Sequence, residues 1–156
     1  MKAKEIMSRD VICVPPDASI REAYDLMRTA SIRHLPVVAG TKLLGVISDR
    51  DILPFTQDGV VVDDRLVEEI MTESPIVASP KTTIARIAEH MLEYKIDCVP
   101  VVSGDRLIGI VTSADMIVLL LTPLEPATTG LPFEFNLLTP SALRSLRSSV
   151  ATVTAG

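Results

Sequence analysis

Two short motifs carry the side chains best suited to chemistry in this sequence. Ser48-x-x-Asp51 and Thr112-x-x-Asp115 each place a hydroxyl three residues before a carboxylate, where an apolar run ends. At the start of a helix such a pair forms a capping box, in which the two side chains satisfy free backbone N–H groups. A helix N-terminus also favours anions, and a carboxylate there can accept both hydroxyls of a ribose. The spacing alone leaves both interpretations open.

Both motifs belong to an internal repeat with a period of 64 residues (109 − 45). Gly45-Val-Ile-Ser-Asp-Arg-Asp51 recurs as Gly109-Ile-Val-Thr-Ser-Ala-Asp115. Without a gap, residues 4–53 match residues 68–117 with 15 identities in 50 positions. Two copies of one supersecondary unit therefore organise the chain.

Each copy predicts the order strand, helix, strand, strand, helix. The first helix is opened by a capping box of Ser19 and Glu22, and its counterpart by Thr82 or Thr83. The second helix of each copy begins at Ser48 or Thr112. The predicted strands span 11–14, 34–38, 43–47, 76–79, 98–102 and 107–111. This order predicts an α+β fold with helices packed on a small sheet.

The repeat divides the chain into four parts. Residues 1–57 form the first repeat, 58–66 a linker, 67–121 the second repeat and 122–156 a C-terminal extension. In the extension, Thr139-Pro140 is a good helix start, and a weak apolar stripe predicts a short helix to residue 150.

Composition excludes several classes of protein. The net charge of −5 argues against a nucleic-acid binder, which would need a basic face. The longest strictly apolar run, Met116–Leu121, is too short to cross a membrane, and the N-terminus has no apolar secretion signal. Cys13 and Cys98 form no metal-like cluster, which is typical of reduced thiols in a cytoplasmic protein. No nucleophile–base pair, metal-ligand spacing or phosphate-binding glycine loop is present, so we expect neither an enzyme nor a metal site.

The repeated features together resemble tandem CBS domains, also called a Bateman module. The resemblance covers about residues 4–121 and is carried by Ile-Met-[Ser/Thr], the Pro-Val-Val strand and the two glycine-to-aspartate motifs. It implies two βαββα repeats with pseudo-twofold symmetry, whose two small sheets pack face to face. It also implies clefts between the repeats for an adenosyl ligand such as AMP, ADP, ATP or S-adenosylmethionine, with no required cofactor. Proteins of this kind are usually regulatory, and a homodimer is expected.

The resemblance also implies roles for single residues. The two hydroxyl and aspartate motifs are the ribose contacts, and the strand before the first helix of each copy lines the adenine pocket. Basic residues at the cleft rim, before Pro36 and within the first motif, would meet phosphates. The candidate ligand-binding residues are Cys13, Arg33, His34, Ser48, Arg50, Asp51, Val77, Ser79, Thr112 and Asp115.

The candidate cations all lie in the first copy. Arg33, His34 and Arg50 align with Asp97, Cys98 and Ala114 of the second copy. This asymmetry predicts that a polyphosphate depends on the first copy, and that a cleft near Asp97 and Ala114 suits a neutral or zwitterionic group. The alternative for Arg33 and His34 is a solvated arginine and a partly buried histidine at the start of a strand.

Two functions remain open from the sequence. The first is a sensor of an adenosyl nucleotide, whose occupied state is recognised by a regulated protein. The second is a dimeric protein-interaction module without a ligand, in which the 122–156 extension docks a partner. Selective binding of adenine nucleotides would distinguish the first function from the second.

Overall fold

The computed structural model describes residues 1–121 as a layered α+β fold. Its helices are α1 (Ala3–Ile6), α2 (Ile20–Ala30), α3 (Asp49–Ile52), α4 (Ile84–Tyr94) and α5 (Ser113–Leu121). Its strands are β1 (His34–Ala39), β2 (Lys42–Ser48), β3 (Thr56–Gln57), β4 (Val60–Val61), β5 (Thr72–Glu73), β6 (Cys98–Ser103) and β7 (Arg106–Thr112). The helix expected within 139–150 lies outside the described residues.

Two antiparallel hairpins, β1–β2 and β6–β7, form the centre of the fold. Gly40 and Gly104 turn them with positive φ angles of 62° and 66°, a conformation that glycine adopts without steric cost. The family resemblance implied two separate sheets, but the two hairpins belong to one sheet. Lys42 of β2 pairs with Arg106 of β7, which gives the strand order β1-β2-β7-β6. The two hairpin turns meet, which brings the first residue of β2 opposite the first residue of β7.

The predicted strands at 11–14 and 76–79 are each reduced to one parallel bridge. Val14 bridges Val37 of β1, and Ala78 bridges Val101 of β6. In the first bridge the N–H of Val14 donates to the carbonyl of Pro36 at 3.1 Å. The next residue whose N–H would face β1 is Pro16, which has no N–H to donate, so the pairing cannot extend.

The capping predictions for the longer helices are confirmed in detail. The Oγ of Ser19 accepts from the N–H of Glu22 at 3.1 Å, and the Glu22 carboxylate accepts from the N–H of Ser19 at 2.8 Å. For α4 the cap is Thr83, whose Oγ1 accepts from the N–H of Arg86 at 3.3 Å. Thr82 instead accepts from the N–H of Ser79. Each helix therefore begins where its hydroxyl can satisfy an unpaired N–H group.

The segment that precedes each repeat in the sequence packs against the other repeat. We call residues 1–8 and 65–72 the leading segments. The N–H of Ala3 donates to the carbonyl of Thr82 at 2.8 Å, and the N–H of Val67 donates to the carbonyl of Ala18 at 2.8 Å. Ala3 and Val67 are both fully buried. The leading segments are therefore exchanged between the repeats.

This exchange divides the hydrophobic core differently from the sequence repeat. The core around α2 contains Val67 of the second leading segment. The core around α4 contains Ala3 and Met7 of the first. The linker predicted at 58–66 therefore divides the repeats in sequence but does not divide their packing, and the two cores depend on each other.

Two repeat glycines permit the close approach of the exchanged segments. A Cβ at Gly45 would lie 2.7 Å from the carbonyl oxygen of Thr72 and 2.7 Å from the Sδ of Met71. A Cβ at Gly109 would lie 2.6 Å from the Sδ of Met7. Neither glycine therefore leaves room for a side chain, because the leading segment of the other repeat crosses directly above it.

Candidate functional site

Two clefts of about 370 Å³ each lie between the repeats, which is within the usual size range of ligand sites. We name them after the motif aspartate that lines each one. The Asp115 cleft draws on 8–12 and 31–36 of the first repeat and 110–115 of the second. The Asp51 cleft draws on 72–76 and 95–98 of the second repeat and 46–51 of the first. A shift of 64 residues relates the two linings, so the molecule contains one site twice.

The motif side chains form compact hydrogen-bonded pairs at the ends of β2 and β7. Oδ2 of Asp51 accepts from the N–H of Ser48 at 2.7 Å and from its hydroxyl at 2.7 Å. Oδ2 of Asp115 accepts in the same way from Thr112, at 2.7 and 2.8 Å. The N–H of Asp115 also donates to the Thr112 hydroxyl at 3.4 Å. The capping interpretation of both motifs is therefore correct.

Capping leaves half of each carboxylate for other contacts. All of these hydrogen bonds reach Oδ2, and Oδ1 of Asp51 and Asp115 accepts none from the residues that the structure describes. Both aspartates are only partly buried and line their clefts. Capping and ligand binding are thus compatible, because the cap uses Oδ2 to hold the carboxylate in place and leaves Oδ1, in a residue that lines the cleft, without a hydrogen bond from residues 1–121.

The structure separates the cations that the sequence grouped together. Arg33 lines the Asp115 cleft, whereas Arg50 lines the Asp51 cleft. The grouping of these cations in the first copy therefore does not bring them to one site, because each cleft combines residues from both repeats. Nε of Arg33 donates to Oδ2 of Asp49 at 3.1 Å, and Nη2 of Arg50 lies 3.7 Å from Oδ2 of Asp97. Both guanidinium groups are thus already paired with a carboxylate.

His34 and Asp97 stand between the two clefts and line both of them. Burial lowers the pKa of His34 below its ordinary value, and the nearby carboxylates, Asp97 foremost, oppose that change. The imidazole is therefore mainly neutral at pH 7 and can accept or donate a hydrogen bond. Asp97 contributes a carboxylate to the same wall.

Strained backbone is concentrated around the clefts. Four non-glycine residues within 1–121 have positive φ, and three of them, Ser31, Ser74 and Lys95, line a cleft. Ser31 and Lys95 both have φ of 54° and occupy equivalent positions after α2 and α4. Such conformations cost about 1 kcal/mol or more and tend to occur at functional sites. Lys95 is the second cation of the Asp51 cleft.

Three predicted residues line neither cleft. Cys13 lies in a smaller cavity of about 180 Å³ beside Arg106, and Val77 is largely exposed. The hydroxyl of Ser79 is 3.1 Å from that of Thr82, in the turn before α4. These three side chains point away from the clefts because successive side chains of an extended segment point to opposite faces. Ile12 and Ile76 point into the clefts, so their successors point away.

Cys98 was not among the predicted site residues, although it lines the Asp51 cleft. Burial raises the pKa of its thiol to about 12, so this side chain forms a neutral, weakly polar wall. The sequence prediction also omitted eight polar lining residues: Ser8, Asp10, Ser31, Thr72, Ser74, Lys95, Asp97 and Ser113. The repeat alone does not identify them, because it does not reveal that the start of each copy lies opposite the motif of the other.

Comparison with known proteins agrees with this duplicated architecture. A family model described as CBS domain matches twice, at residues 3–57 and 67–122. Inosine-5'-monophosphate dehydrogenase of Korarchaeum cryptofilum is 41% identical over 116 residues, which cover 74% of this chain and 23% of that enzyme. The CBS domain-containing protein YhcV of Bacillus subtilis is 30% identical over 115 residues, covering 74% of this chain and 82% of that protein. The chain therefore spans less than a quarter of the dehydrogenase that it matches.

Solved structures show the same fold with bound ligands. The CBS domain pair of protein MJ0100, in complex with 5′-methylthioadenosine and S-adenosyl-L-methionine, aligns with a TM-score of 0.69 at 34% identity. That alignment covers 77% of this chain and 95% of the other. CBSX2 in complex with AMP aligns with a TM-score of 0.67 at 28% identity, over 77% and 96% of the two chains.

Two further features are absent from residues 1–121. None of their helices has the length and apolar character needed to cross a membrane. Within the same residues, no group of three or more His, Cys, Asp or Glu side chains is arranged to hold a metal ion.

Proposed function

The chain belongs to the CBS-domain family as a tandem pair, and on that premise we propose that it is a regulatory module that senses an adenosyl ligand. The observation that carries the proposal is the duplicated cleft, in which a capped aspartate keeps Oδ1 available. A ribose offers two hydroxyl donors, which match that oxygen and the neighbouring Ser48 or Thr112 hydroxyl. The relatives crystallised with AMP or with S-adenosyl-L-methionine support the same ligand class.

The apolar lining residues suit the base of such a ligand. Ile12 and Ile110 line the Asp115 cleft, and Ile76 and Val46 occupy the equivalent positions of the Asp51 cleft. A flat purine gains free energy from contact with these side chains, at about 25 cal/mol per Å² of apolar surface removed from water. Polar groups that fix orientation then surround an apolar slot, as is usual in small-molecule sites.

The regulatory rather than catalytic role rests on the chemistry of the lining. The Ser48 and Thr112 hydroxyls donate to aspartates whose Oδ2 is occupied by capping a helix, and His34 is the only imidazole in the lining of the two clefts within residues 1–121. We propose that the occupied state is recognised by a regulated protein in the cytoplasm, in the manner of a ligand-dependent population shift.

A second function, dimeric interaction, is favoured by the exposed apolar side chains of α4 and α5. Leu92 on α4 is 82% exposed, and Leu120 on α5 is 84% exposed. Ile117 and Tyr94 are also more than half exposed. Large side chains of this kind are typical of protein–protein contacts, so we propose that these helices form a homodimer. Leu92→Asp with Leu120→Asp should then convert a dimer into a monomer in sedimentation velocity, whereas a dimer that persists contradicts this interface.

A thermal-shift panel with AMP, ADP, ATP, S-adenosylmethionine and CTP tests the sensor function. A ligand at 100 times its dissociation constant adds roughly 2.7 kcal/mol to the free energy of unfolding. For a chain of this size that amounts to about 5–11 °C in Tm. We expect a shift with at least one adenine compound and none with CTP. A flat panel at millimolar concentrations would favour the interaction module without a ligand.

Asp51→Asn and Asp115→Asn are the matched variants for this panel. The asparagine oxygen can still accept from the N–H of Ser48 or Thr112, while its NH2 group replaces an acceptor with a donor. We expect each variant to keep its Tm without ligand within about 2 °C and to lose the shift from one cleft. An unchanged ligand shift in both variants would exclude the motif aspartates as ribose contacts.

A further inference from the structure

The two clefts differ in charge although they share one architecture. The Asp115 cleft has a single arginine, Arg33, against three carboxylates, and Arg33 is held by Asp49. The Asp51 cleft has two cations, Arg50 and Lys95, against two carboxylates. The first cleft is therefore electronegative and the second is balanced, with two groups that can bind phosphate oxygens.

The repeat identifies the substitutions that cause this difference. Arg50 of the Asp51 cleft aligns with Ala114 of the Asp115 cleft, and Lys95 aligns with Ser31. Ser74 aligns with Asp10. Each of these three exchanges makes the Asp115 cleft more negative, whereas Arg33, which aligns with Asp97, acts in the opposite direction and offsets only part of the difference.

Asp97 connects the two clefts because it lines both. Its carboxylate is paired with Arg50 at 3.7 Å, across the boundary between the repeats. A phosphate that binds Arg50 competes with this pair and releases the Asp97 carboxylate. The released carboxylate then adds its negative charge to the Asp115 cleft, where a cation would be attracted to it.

We propose that the clefts select adenosyl ligands of different charge, and that Asp97 couples them. The Asp51 cleft takes a phosphate-bearing adenosine, and the Asp115 cleft takes an adenosine whose 5′ substituent has no net negative charge, with a cationic group preferred. A phosphate in the first cleft strengthens the binding of a cation in the second. This inference rests on the proposed function, because it assumes that adenosyl ligands enter both clefts.

Isothermal titration of the full chain with AMP and with S-adenosylmethionine tests this assignment. We expect one site per chain for each ligand, with no competition between them. Saturation with AMP should tighten S-adenosylmethionine by up to about fivefold, since an exposed ion pair such as Arg50–Asp97 is worth at most about that factor. Linkage requires S-adenosylmethionine to tighten AMP by the same factor. The uncharged 5′-methylthioadenosine is the control, and its affinity should not change with AMP.

Three variants assign each effect to its residue. Arg50→Ala should weaken AMP at least tenfold and leave S-adenosylmethionine bound. Ala114→Arg should create a second AMP site per chain and weaken S-adenosylmethionine. Asp97→Asn should abolish the coupling between the ligands. The fold should tolerate Asp97→Asn, because the backbone carbonyl of Asp97 makes the hydrogen bond to Ser113 and its side chain is 40% exposed.

Two results would overturn the inference. Competition between AMP and S-adenosylmethionine for the same cleft would do so, and so would coupling that persists in Asp97→Asn. Either result would leave the sensor function standing. Failure of every adenosyl ligand to bind would instead overturn the sensor function, and this inference with it.

Discussion

At the scale of single residues, we propose that Asp51 and Asp115 combine a structural and a binding role in one carboxylate. Oδ2 holds the backbone of the hydroxyl residue three positions earlier, and Oδ1 is left for a ligand in a residue that lines the cleft. Asp51→Ala removes both roles at once. We expect it to lower the free energy of unfolding by about 1 kcal/mol, as the loss of a helix cap does. Urea unfolding measures this change.

The comparison with Asp51→Asn separates the two roles. Since asparagine retains an acceptor for the N–H of Ser48, its free energy of unfolding should stay closer to that of the unmodified chain. If both variants unfold at the same urea concentration as the unmodified chain, the hydrogen bonds of Oδ2 contribute nothing to stability and the capping role is wrong.

His34 makes the stability of the fold dependent on pH. Burial lowers the pKa of its imidazole, so the folded state binds fewer protons than the unfolded state as the pH falls through about 6.5. The contribution of neutral His34 is therefore fully present above that pH and is lost below it. We expect the free energy of unfolding to fall between pH 7.5 and pH 5.5 by more in the unmodified chain than in His34→Gln. Equal losses in the two proteins would contradict the role of His34.

At the scale of secondary-structure elements, Gly45 and Gly109 control how closely the leading segments approach β2 and β7. An added methyl group at Gly45 meets the backbone oxygen of Thr72 at 2.7 Å, which can move only with β5. At Gly109 the nearest atom is the Sδ of Met7, which belongs to a flexible side chain. We expect Gly45→Ala to cost about 1–3 kcal/mol, as overpacking does, and Gly109→Ala to cost less. Urea unfolding of both variants provides the measurement.

The two alanine variants control for each other, because the repeat gives both glycines the same place in the hairpin. Gly40→Ala provides a different reference, since it places a side chain at positive φ with no neighbour within 4 Å. Equal losses of stability for Gly45→Ala and Gly109→Ala would show that the backbone of β5 is not what limits the space.

The hairpins and helices were predictable because their signals are local. The strands predicted at 34–38 and 43–47 are found as His34–Ala39 and Lys42–Ser48, since alternation and a turn glycine determine a hairpin without distant contacts. The strand predicted at 11–14 is longer than the single bridge at Val14, because an apolar run does not reveal how far backbone pairing extends. The short β5 was missed, since two residues carry no periodicity.

The exchange of the leading segments was not predictable from the sequence. Met7 packs on Gly109, and Met71 packs on Gly45. These are identical residue pairs, so pairing within a repeat and pairing between repeats satisfy the same pattern. The composition of each cleft depends on this choice, so the sequence places Arg33 and Arg50 in one copy without showing that they line different clefts.

At the scale of the whole molecule, the exchange makes each repeat depend on the other for its core. Residues 1–64 lack Val67, which completes the core around α2, and residues 65–121 lack Ala3 and Met7, which complete the core around α4. We expect neither fragment to unfold cooperatively as a monomer, because each exposes the apolar surface that its missing segment covers. An equimolar mixture should recover the circular dichroism of the intact chain and sediment as a one-to-one complex.

A cooperatively folded monomer of either fragment would contradict this dependence. The matched control is a mixture in which residues 1–64 carry Met7→Asp. This change places a charge in the core of the other fragment, so the complex should be weakened although the core around α2 is untouched.

The exchanged segments also explain how one molecule can hold two unlike sites. Met7 on Gly109 and Met71 on Gly45 are the same contact. Two separate copies of a single repeat could therefore exchange their leading segments and enclose a pair of clefts. Such a homodimer would need to find its partner at cellular concentration, whereas the joining residues 58–66 keep the halves at a high effective concentration. A symmetric homodimer would also force the clefts to be identical. Covalent duplication removes that constraint, so Arg50 and Ala114 can diverge and a single chain can respond to two chemical signals at once.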